Sequence, residues 1–312
     1  MVDTSKVLYA KKETTYGTEV LALTGGANAV LTRNFSAKPL VVDTIDRNID
    51  RAVRGATKIG VGNVRQTLSY EVELQGSGTK GDAPAWMEHL EACGMAAPVL
   101  VATTSATQRF APIGTSLSSM SVAHWHGSQK RIGIGARGTF GFDFTAGSYP
   151  FLKLDLTALQ GSVPIADEVP PSPIFTRWRD PLEVNTANTD FMLGDFAAVL
   201  RSFTGDINAT IATRNLVGGN YIQRGNHSLT GKIVCEAPTI AAKNYFAALQ
   251  VGTEIPCWIE HGTVAGSIVR FSMSTIQITD IDLQDEDDVL MLSMTYQANT
   301  GASPDDLVII AK

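Results

Sequence analysis

Cysteine is scarce in this chain, and the three cysteines that occur, Cys93, Cys235 and Cys257, form no C-x-x-C pair. An odd number of thiols at scattered positions argues against a disulfide framework. Free cysteine otherwise behaves as a small apolar side chain. We therefore expect all three to be core residues of a protein that works in a reducing compartment.

Long hydrophobic runs are absent as well. The most apolar stretch, Met95 to Ala102, is interrupted by Pro98 and is far shorter than the roughly 20 residues of a membrane-spanning helix. The first residues, Met-Val-Asp-Thr-Ser-Lys, show no basic segment followed by an apolar core. We expect neither a membrane segment nor a secretory signal.

Positive charge is in deficit, since 25 Lys and Arg stand against 31 Asp and Glu and the net charge is −6. A protein that grips nucleic acid through its phosphates needs the opposite balance, so this class is disfavoured. The negative net charge is still compatible with a surface past which nucleic acid slides. The nucleophile motif G-x-S-x-G is also absent. We predict no enzyme activity, no catalytic residue and no cofactor.

One glycine-rich segment, Gly133-Ile-Gly135-Ala-Arg-Gly138, matches the G-x-G-x-x-G pattern of dinucleotide-binding loops. That chemistry requires the glycines to open a helix whose amino terminus receives a pyrophosphate. The segment instead continues into Gly-Thr-Phe-Gly-Phe-Asp-Phe, an alternation that is typical of a strand. We predict a strand here.

Two histidines, His124 and His126, flank Trp125 and would share one face of a strand. They could bind a metal ion, but no third ligand follows nearby. The corresponding place later in the chain reads Cys257-Trp258 with His261. A repeated turn built on a packed tryptophan explains both places, and we prefer it to a metal site.

The acidic segment Asp280 to Asp288 resembles a calcium-binding loop in its charge alone. Asp285 occupies the sixth position, where such a loop needs glycine, and Met291 the twelfth, where it needs glutamate. A solvated hairpin turn is the preferred interpretation, and a surface that pairs with a neighbouring subunit is the next.

What the chain does contain is an internal repeat. Alternating segments, helix-like runs, tryptophan turns and late strands recur in the same order: Leu68–Leu74 and Leu229–Ala237, Ala85–Leu90 and Lys243–Leu249, Trp125–Gly127 and Trp258–Gly262, Leu152–Ala158 and Leu290–Ala298. Arg33–Ser36 likewise matches Arg201–Thr204. The spacing changes only at loops, as a diverged duplication predicts.

Strand patterns dominate both copies, and each copy has about one helix. The 312 residues, 44% of them hydrophobic and 18% charged, suit two globular domains. Gly161 to Pro173 contains four prolines and has the composition of a linker. We predict two tandem β-sandwich or β-barrel modules, residues 1–165 and 166–312, each with a flanking helix.

Polar excursions occupy corresponding places in the two copies, Val41 to Arg65 and Thr204 to Gly225. A structureless excursion of this length is usually functional or mobile. A surface helix or a hairpin with paired charges is an equal alternative for the first one. Its basic residues are Arg47, Arg51, Arg54 and Lys58.

Three segments carry a family resemblance: Glu13-Thr-Thr-Tyr-Gly-Thr18, Arg224-Gly-Asn-His-Ser-Leu-Thr-Gly-Lys-Ile233 and Gly301 to Ile310. Together with the long excursion, they resemble the tail tube proteins of tailed bacteriophages over most of the chain. The similarity is greatest to the tubes of long, non-contractile tails, as in siphophages. The resemblance implies a structural virion protein with a small β-sandwich and a flanking helix in each module.

In that family, six modules form a ring whose inner strands make a continuous barrel, and stacked rings form the conduit for DNA ejection. Two modules per chain would give three chains per ring with pseudo-sixfold symmetry. The resemblance makes the two excursions stacking loops between rings. It implies assembly in the host cytoplasm, a place in the virion tail, and the tape measure, tail terminator and distal tail proteins as partners. Genomic DNA would pass through the lumen without specific binding.

Charge alone suggests an inter-ring interface in which the basic excursion meets the acidic turn of a neighbour. The acidic partners would be Asp285, Glu286, Asp287 and Asp288. Two other functions remain open: a two-domain β-sandwich that binds carbohydrate or a virion surface, and an enzyme whose site is assembled from distant residues. The four tryptophans lie at scattered, partly repeated positions typical of core residues, which disfavours the first of these.

Overall fold

A computed structural model describes residues 5–23, 26–161, 166–301 and 303–312. Strands account for 51% and helices for 4% of it, which confirms the prediction of a mainly β protein. The two helices, α1 (Met87–Ala92) and α2 (Tyr245–Val251), lie where the helix-like runs were predicted. Asn244 caps α2 by accepting a hydrogen bond from the Ala247 amide, and Gly252 ends it in the left-handed conformation.

Nineteen strands are present in the described residues. Those of the amino-terminal half are β1 (Lys6–Lys12), β2 (Ala29–Val30), β3 (Arg33–Ile45), β4 (Gly60–Glu73), β5 (Val99–Val101), β6 (Ser105–Arg109), β7 (Met120–His126), β8 (Gln129–Thr145), β9 (Phe151–Gln160) and β10 (Ala166–Asp167). Those of the carboxy-terminal half are β11 (Thr189–Leu193), β12 (Leu200–Asp206), β13 (Ile211–Leu216), β14 (Gly219–Arg224), β15 (Thr230–Glu236), β16 (Glu254–His261), β17 (Val269–Glu286), β18 (Val289–Ala298) and β19 (Val308–Ala311).

Both halves pair their strands in the same way. In the first half the antiparallel order is β1–β7–β8–β9–β4–β3. In the second half it is β11–β16–β17–β18–β15–β12. The helix follows β4 in one and β15 in the other, so the matched sequence segments occupy matched places in the sheet.

The longest strand of each half changes partners along its length. A bulge between Ile134 and Arg137 interrupts β8, and a bulge between Ile278 and Asp280 interrupts β17. Bulges bend a strand and increase its twist. The first part of β8 pairs with β7 and its later part with β9. In the same way, the first part of β17 pairs with β16 and its later part with β18. The G-x-G-x-x-G segment lies inside β8, as its strand pattern predicts.

The two halves join through a strand pair that the sequence gives no reason to expect. Gly141 to Thr145 of β8 pair antiparallel with Ser202 to Asp206 of β12. Within a sheet of 17 strands in the described residues, this seam aligns eight strands in the order β3–β4–β9–β8–β12–β15–β18–β17. The pair β19–β6 joins the two halves a second time.

The apolar cores of the two halves are continuous with each other. The main core is one cluster that contains residues of both halves. Phe142 lies at the seam, with its ring centroid 5.2 Å from that of Phe203 and 5.1 Å from that of Phe271. Because β8 and β12 are hydrogen-bonded neighbours, large side chains from the two halves pack against one another on the buried face of the seam.

The predicted linker, Gly161 to Pro173, lies partly outside the described residues, which omit 162–165. The chain beyond the gap packs on the amino-terminal half. Ala166 and Asp167 form β10 beside β8, and the Trp178 indole donates a 2.9 Å hydrogen bond to the Ala29 carbonyl. The three cysteines are free and buried, as predicted.

Candidate assembly surface

One face of the eight-stranded sheet is apolar and buried, and the opposite face is polar. On β9, Leu152, Leu154 and Leu156 point into the core, whereas Lys153 is exposed and Asp155 is half-buried between them. This alternation is expected of an antiparallel sheet with one wetted side.

The ionisable residues on the polar face carry an acidic excess. Ten are acidic and seven are basic: Asp43, Glu71, Glu73, Asp143, Asp155, Asp206, Glu236, Asp280, Asp282 and Glu286 against Arg33, Lys38, Arg65, Arg137, Lys153, Arg201 and Lys232. An acidic surface repels phosphate groups and gives them no counter-charge to bind. The face can therefore border nucleic acid without holding it.

Both outer strands of this sheet have one edge without a strand partner in the described residues. There, β3 pairs only with β4, and Asp280 to Glu286 of β17 pair only with β18. Open edges of this kind present unpaired amide and carbonyl groups, which favour pairing with another chain. A further strand could therefore be added to the sheet at either edge.

The antiparallel pairings also place the predicted stacking segments at defined ends of the sheet. Neighbouring strands of the sheet run in opposite directions. The carboxy-terminal ends of β3 and β12 therefore lie at the same end of the sheet as Ile276, where β17 begins to pair with β18. Both excursions leave from that end. The acidic turn after β17 lies at the other end, so the basic and acidic segments point in opposite directions along the strands.

The first excursion is shorter than predicted, because β3 continues to Ile45 and β4 begins at Gly60. Residues 46–59 between them form no regular structure, so the surface-helix alternative is wrong and the segment is the tip of a long hairpin. All four basic residues, Arg47, Arg51, Arg54 and Lys58, are exposed. The Arg51 guanidinium donates hydrogen bonds to the carbonyls of Gly55 and Ala56 within the loop.

The acidic residues form the turn between β17 and β18, as predicted. Asp285 and Glu286 end β17, and Asp287 and Asp288 make the turn with positive φ angles of 50° and 63°. Glu286 already forms a 2.9 Å ion pair with Arg201 of its own chain. Within the described residues, none of the four acidic side chains contacts the basic excursion.

The second excursion differs more from its prediction. Thr204 to Asp206 belong to β12, and the rest is mainly the hairpin β13–β14, which lies against the amino-terminal half. The Ile222 amide donates a 2.6 Å hydrogen bond to the Tyr16 hydroxyl, and its carbonyl accepts a 2.9 Å hydrogen bond from Arg137. The hairpin tip stays exposed at Val217.

Sequence reasoning missed the residue that organises this contact. Glu13 is buried, and its carboxylate accepts four hydrogen bonds, from the amides of Gly17 and Gly135 at 2.7 Å each and from the hydroxyls of Ser119 (2.6 Å) and Ser121 (2.9 Å). Its only sequence signal is its place at the start of the segment Glu13 to Thr18. The carboxylate joins that segment to β7 and to the bulge of β8.

His124 and Trp125 are both buried in β7, whereas His126 is exposed. Nε2 of His124 lies 3.0 Å from Oε1 of Gln66, and Trp125 packs edge-on against Tyr9. This geometry agrees with the packed-tryptophan interpretation. Among the described residues, no group of three or more His, Cys, Asp or Glu could hold a metal ion.

Burial also makes His124 sensitive to acid. Burial lowers the pKa of His124 to about 4, and that of His89 likewise to about 4, whereas both titrate near 6.5 in an unfolded chain. Between these values the unfolded state binds more protons, so the stability is complete above pH 6.5 and falls as the pH drops towards 4.

We expect the free energy of unfolding of the dissociated protomer to fall by about 1.4 kcal/mol per pH unit for each of these histidines inside that window. Urea titrations at several pH values would measure it. His124→Gln should reduce this slope, and the matched variant His126→Gln, which removes only a minor electrostatic contribution to the lowered pKa of His124, should reduce it much less. Equal slopes in the two variants would contradict the assignment.

A comparison with known families now identifies the chain. The family profile of the phage tail tube proteins matches residues 4–298. The chain belongs to this family, and it is a structural protein of the viral tail tube. No curated protein matches it. Within the described ranges, no helix is long and apolar enough to cross a membrane.

Proposed function

We propose that the protein polymerises into rings that stack to form the tube through which DNA is ejected from a long, non-contractile tail. One observation carries the proposal: the chain builds a single sheet with a polar, acidic face and an open edge on either side. Closure of such sheets around a ring would satisfy every edge and enclose a wetted lumen. Assembly would take place in the host cytoplasm.

Three chains would complete each ring. The seam between β8 and β12 already joins two matched sets of four strands within one chain. If three copies repeat this relation, the ring has six such sets and pseudo-sixfold symmetry. Residues 1–165 and 166–312 would be the two tube modules, with residues 166–178 packed on the first module.

Rings would stack with the same orientation. The two excursions leave one end of the sheet and the acidic turn leaves the other, an arrangement that allows head-to-tail contacts that do not close. Residues 46–59 would reach the acidic turn of the adjacent ring. Such a stack would expose complementary end surfaces to the tape measure, tail terminator and distal tail proteins.

A reversal of charge tests the stacking contact. Arg51→Glu combined with Arg54→Glu should block tube growth while the protomer stays folded, because both side chains are exposed and neither forms an ion pair with the part of its own chain that the structure describes. Electron microscopy and circular dichroism would measure the two properties. Asp287→Asn with Asp288→Asn should weaken stacking from the opposite side, since asparagine tolerates the positive φ of the turn.

The matched control reverses two exposed cations outside the loop, Lys80→Glu and Arg179→Glu. It should assemble normally. Tubes of ordinary length from the Arg51 and Arg54 variant would refute the contact between these arginines and the acidic turn.

The tryptophans give no support to a carbohydrate-binding module. Trp86, Trp125 and Trp178 are buried, and Trp258 is half-buried beneath the Arg270 guanidinium, which lies 4.2 Å from its ring centroid. Electron microscopy of the purified protein at increasing concentration tests the proposed function itself. Rings or tubes are expected, and a protein that stays monomeric at high concentration would contradict the proposal.

A further inference from the structure

The seam inside the chain specifies how two chains should meet. In the seam, β12 pairs with the last five residues of β8, from Ser202 opposite Thr145 to Asp206 opposite Gly141. The repeat makes β3 the counterpart of β12 and β17 the counterpart of β8. These two strands carry the open edges of the sheet, so a second copy can place its β3 against β17 as β12 lies against β8.

The register of this contact follows from residues that lie opposite one another across the sheet. In the second half, one such row runs Thr204–Lys232–Thr295–Asp280. In the first half, the corresponding row runs Ser36–Ser69–Asp155–Thr139. Ser36 and Thr204 each stand three residues after the matched arginines Arg33 and Arg201.

Asp280 is therefore the counterpart of Thr139, and the offset between β17 and β8 is 280 − 139 = 141. Gly141 then corresponds to Asp282, and Thr145 to Glu286. The offset between β12 and β3 is 204 − 36 = 168, so Asp206 corresponds to Lys38.

We propose that residues 35–38 of one copy pair antiparallel with residues 282–285 of a second copy, with Lys38 opposite Asp282. This inference rests on the ring assembly proposed above and adds its strand register. The contact is the same seam repeated between chains, and it would close the sheet.

The side chains at these positions fit one another. Lys38 and Asp282 are both exposed, and neither forms an ion pair within the described residues. Opposite charges directly across an antiparallel pair stabilise it. On the other face, Leu283 is 59% exposed and would lie over Ala37. In the internal seam Phe142 lies over Gly205, where an added Cβ would come within 2.4 Å of its ring.

Disulfide trapping tests the register. Directly opposed residues in an antiparallel pair have Cα atoms about 4.5–5.5 Å apart, which a disulfide can span. The chain carrying Lys38→Cys and Asp282→Cys, oxidised after assembly, should give covalent dimers and closed trimers on a denaturing gel. The native cysteines should not interfere, because all three are buried and burial raises their pKa values.

The matched control carries Lys38→Cys and Glu286→Cys, which the register separates by about 13 Å along the strand. It should not cross-link. The register is overturned if tubes assemble and the control pair cross-links as well as the Asp282 pair, or if tubes assemble and neither pair cross-links. Either result would leave ring formation itself intact. Unmodified protein that forms no rings would instead overturn the proposed function, and this inference with it.

A charge exchange gives a second test that needs no cross-link. Lys38→Glu places like charges across the seam and should raise the protein concentration needed for assembly at least about tenfold. Adding Asp282→Lys to the same chain should restore assembly. If the exchange fails to restore it while each protomer stays folded, these two residues do not face each other.

Discussion

Replacing Phe142 with alanine should lower the free energy of unfolding by about 3–5 kcal/mol, because the change removes a buried ring and leaves a cavity. The ring is 3% exposed and contacts Phe203 and Phe271 of the other half as well as Phe144. The cavity would open at the seam, where the two halves share one core. A loss of this size is a large part of the total stability of a typical domain.

Urea unfolding of the dissociated protomer would measure this loss. The matched control is Phe246→Ala, since Phe246 lies on α2 and is 41% exposed; it should change the stability by less than about 1 kcal/mol. The Phe142 variant should also separate the unfolding of the two halves. A loss of less than about 1 kcal/mol would contradict a shared core.

Replacing Glu13 with alanine should cost about 3–5 kcal/mol. The change leaves the amides of Gly17 and Gly135 without their buried acceptor, and each unsatisfied buried group costs about 1–3 kcal/mol. The serine hydroxyls lose the same acceptor. Because Gly135 also positions Tyr16, whose hydroxyl lies 3.3 Å from its carbonyl oxygen, the hairpin β13–β14 should loosen as well.

Hydrogen exchange at the Ile222 amide would report that loosening, and urea unfolding would report the loss of stability. Glu13→Gln should show a smaller defect, since one of its two oxygens remains an acceptor. Glu19→Ala, in an exposed glutamate six residues on, is the matched control and should leave both readings unchanged. Retained protection of Ile222 in the Glu13→Ala variant would refute the link between this carboxylate and the hairpin.

The repeat made much of the fold predictable from sequence. The alternation in Leu68 to Leu74 and in Leu152 to Leu156 survives in the buried rows of β4 and β9. Matched segments then occupied matched strands, because a duplicated pattern encodes the same pairing twice. The glycine-rich segment was predictable as a strand because the alternation of apolar residues after it continues to Phe144.

Contacts between distant segments were not predictable. Nothing in residues 308–311 indicates that β19 would lie between β17 and β6. The seam had one weak signal, a glycine at 205 where Phe142 needs room. Glu13 was one carboxylate among 31 acidic residues, and only the fold brings its four donors together. The long hairpin of β3 and β4 was underestimated because its polar residues alternate with exposed apolar ones such as Leu40 and Val61.

The proposed assembly gives each surface of the sheet its own role. The buried face holds the two halves together, whereas in the proposed ring the polar face would border the lumen and the edges and ends would face other copies. An acidic lumen would not hold DNA, and the basic hairpin tip would hold a neighbouring ring. The polar face, the edges and the ends of the sheet can therefore be altered without unfolding the protomer.

An end-on view of the assembled tube by electron cryomicroscopy would show how the sheets close around the ring. We expect three chains in each ring, every chain supplying eight strands to a closed inner barrel, with β3 of each copy beside β17 of the next. A ring of six chains, or one in which either of these edges stays open, would contradict this arrangement.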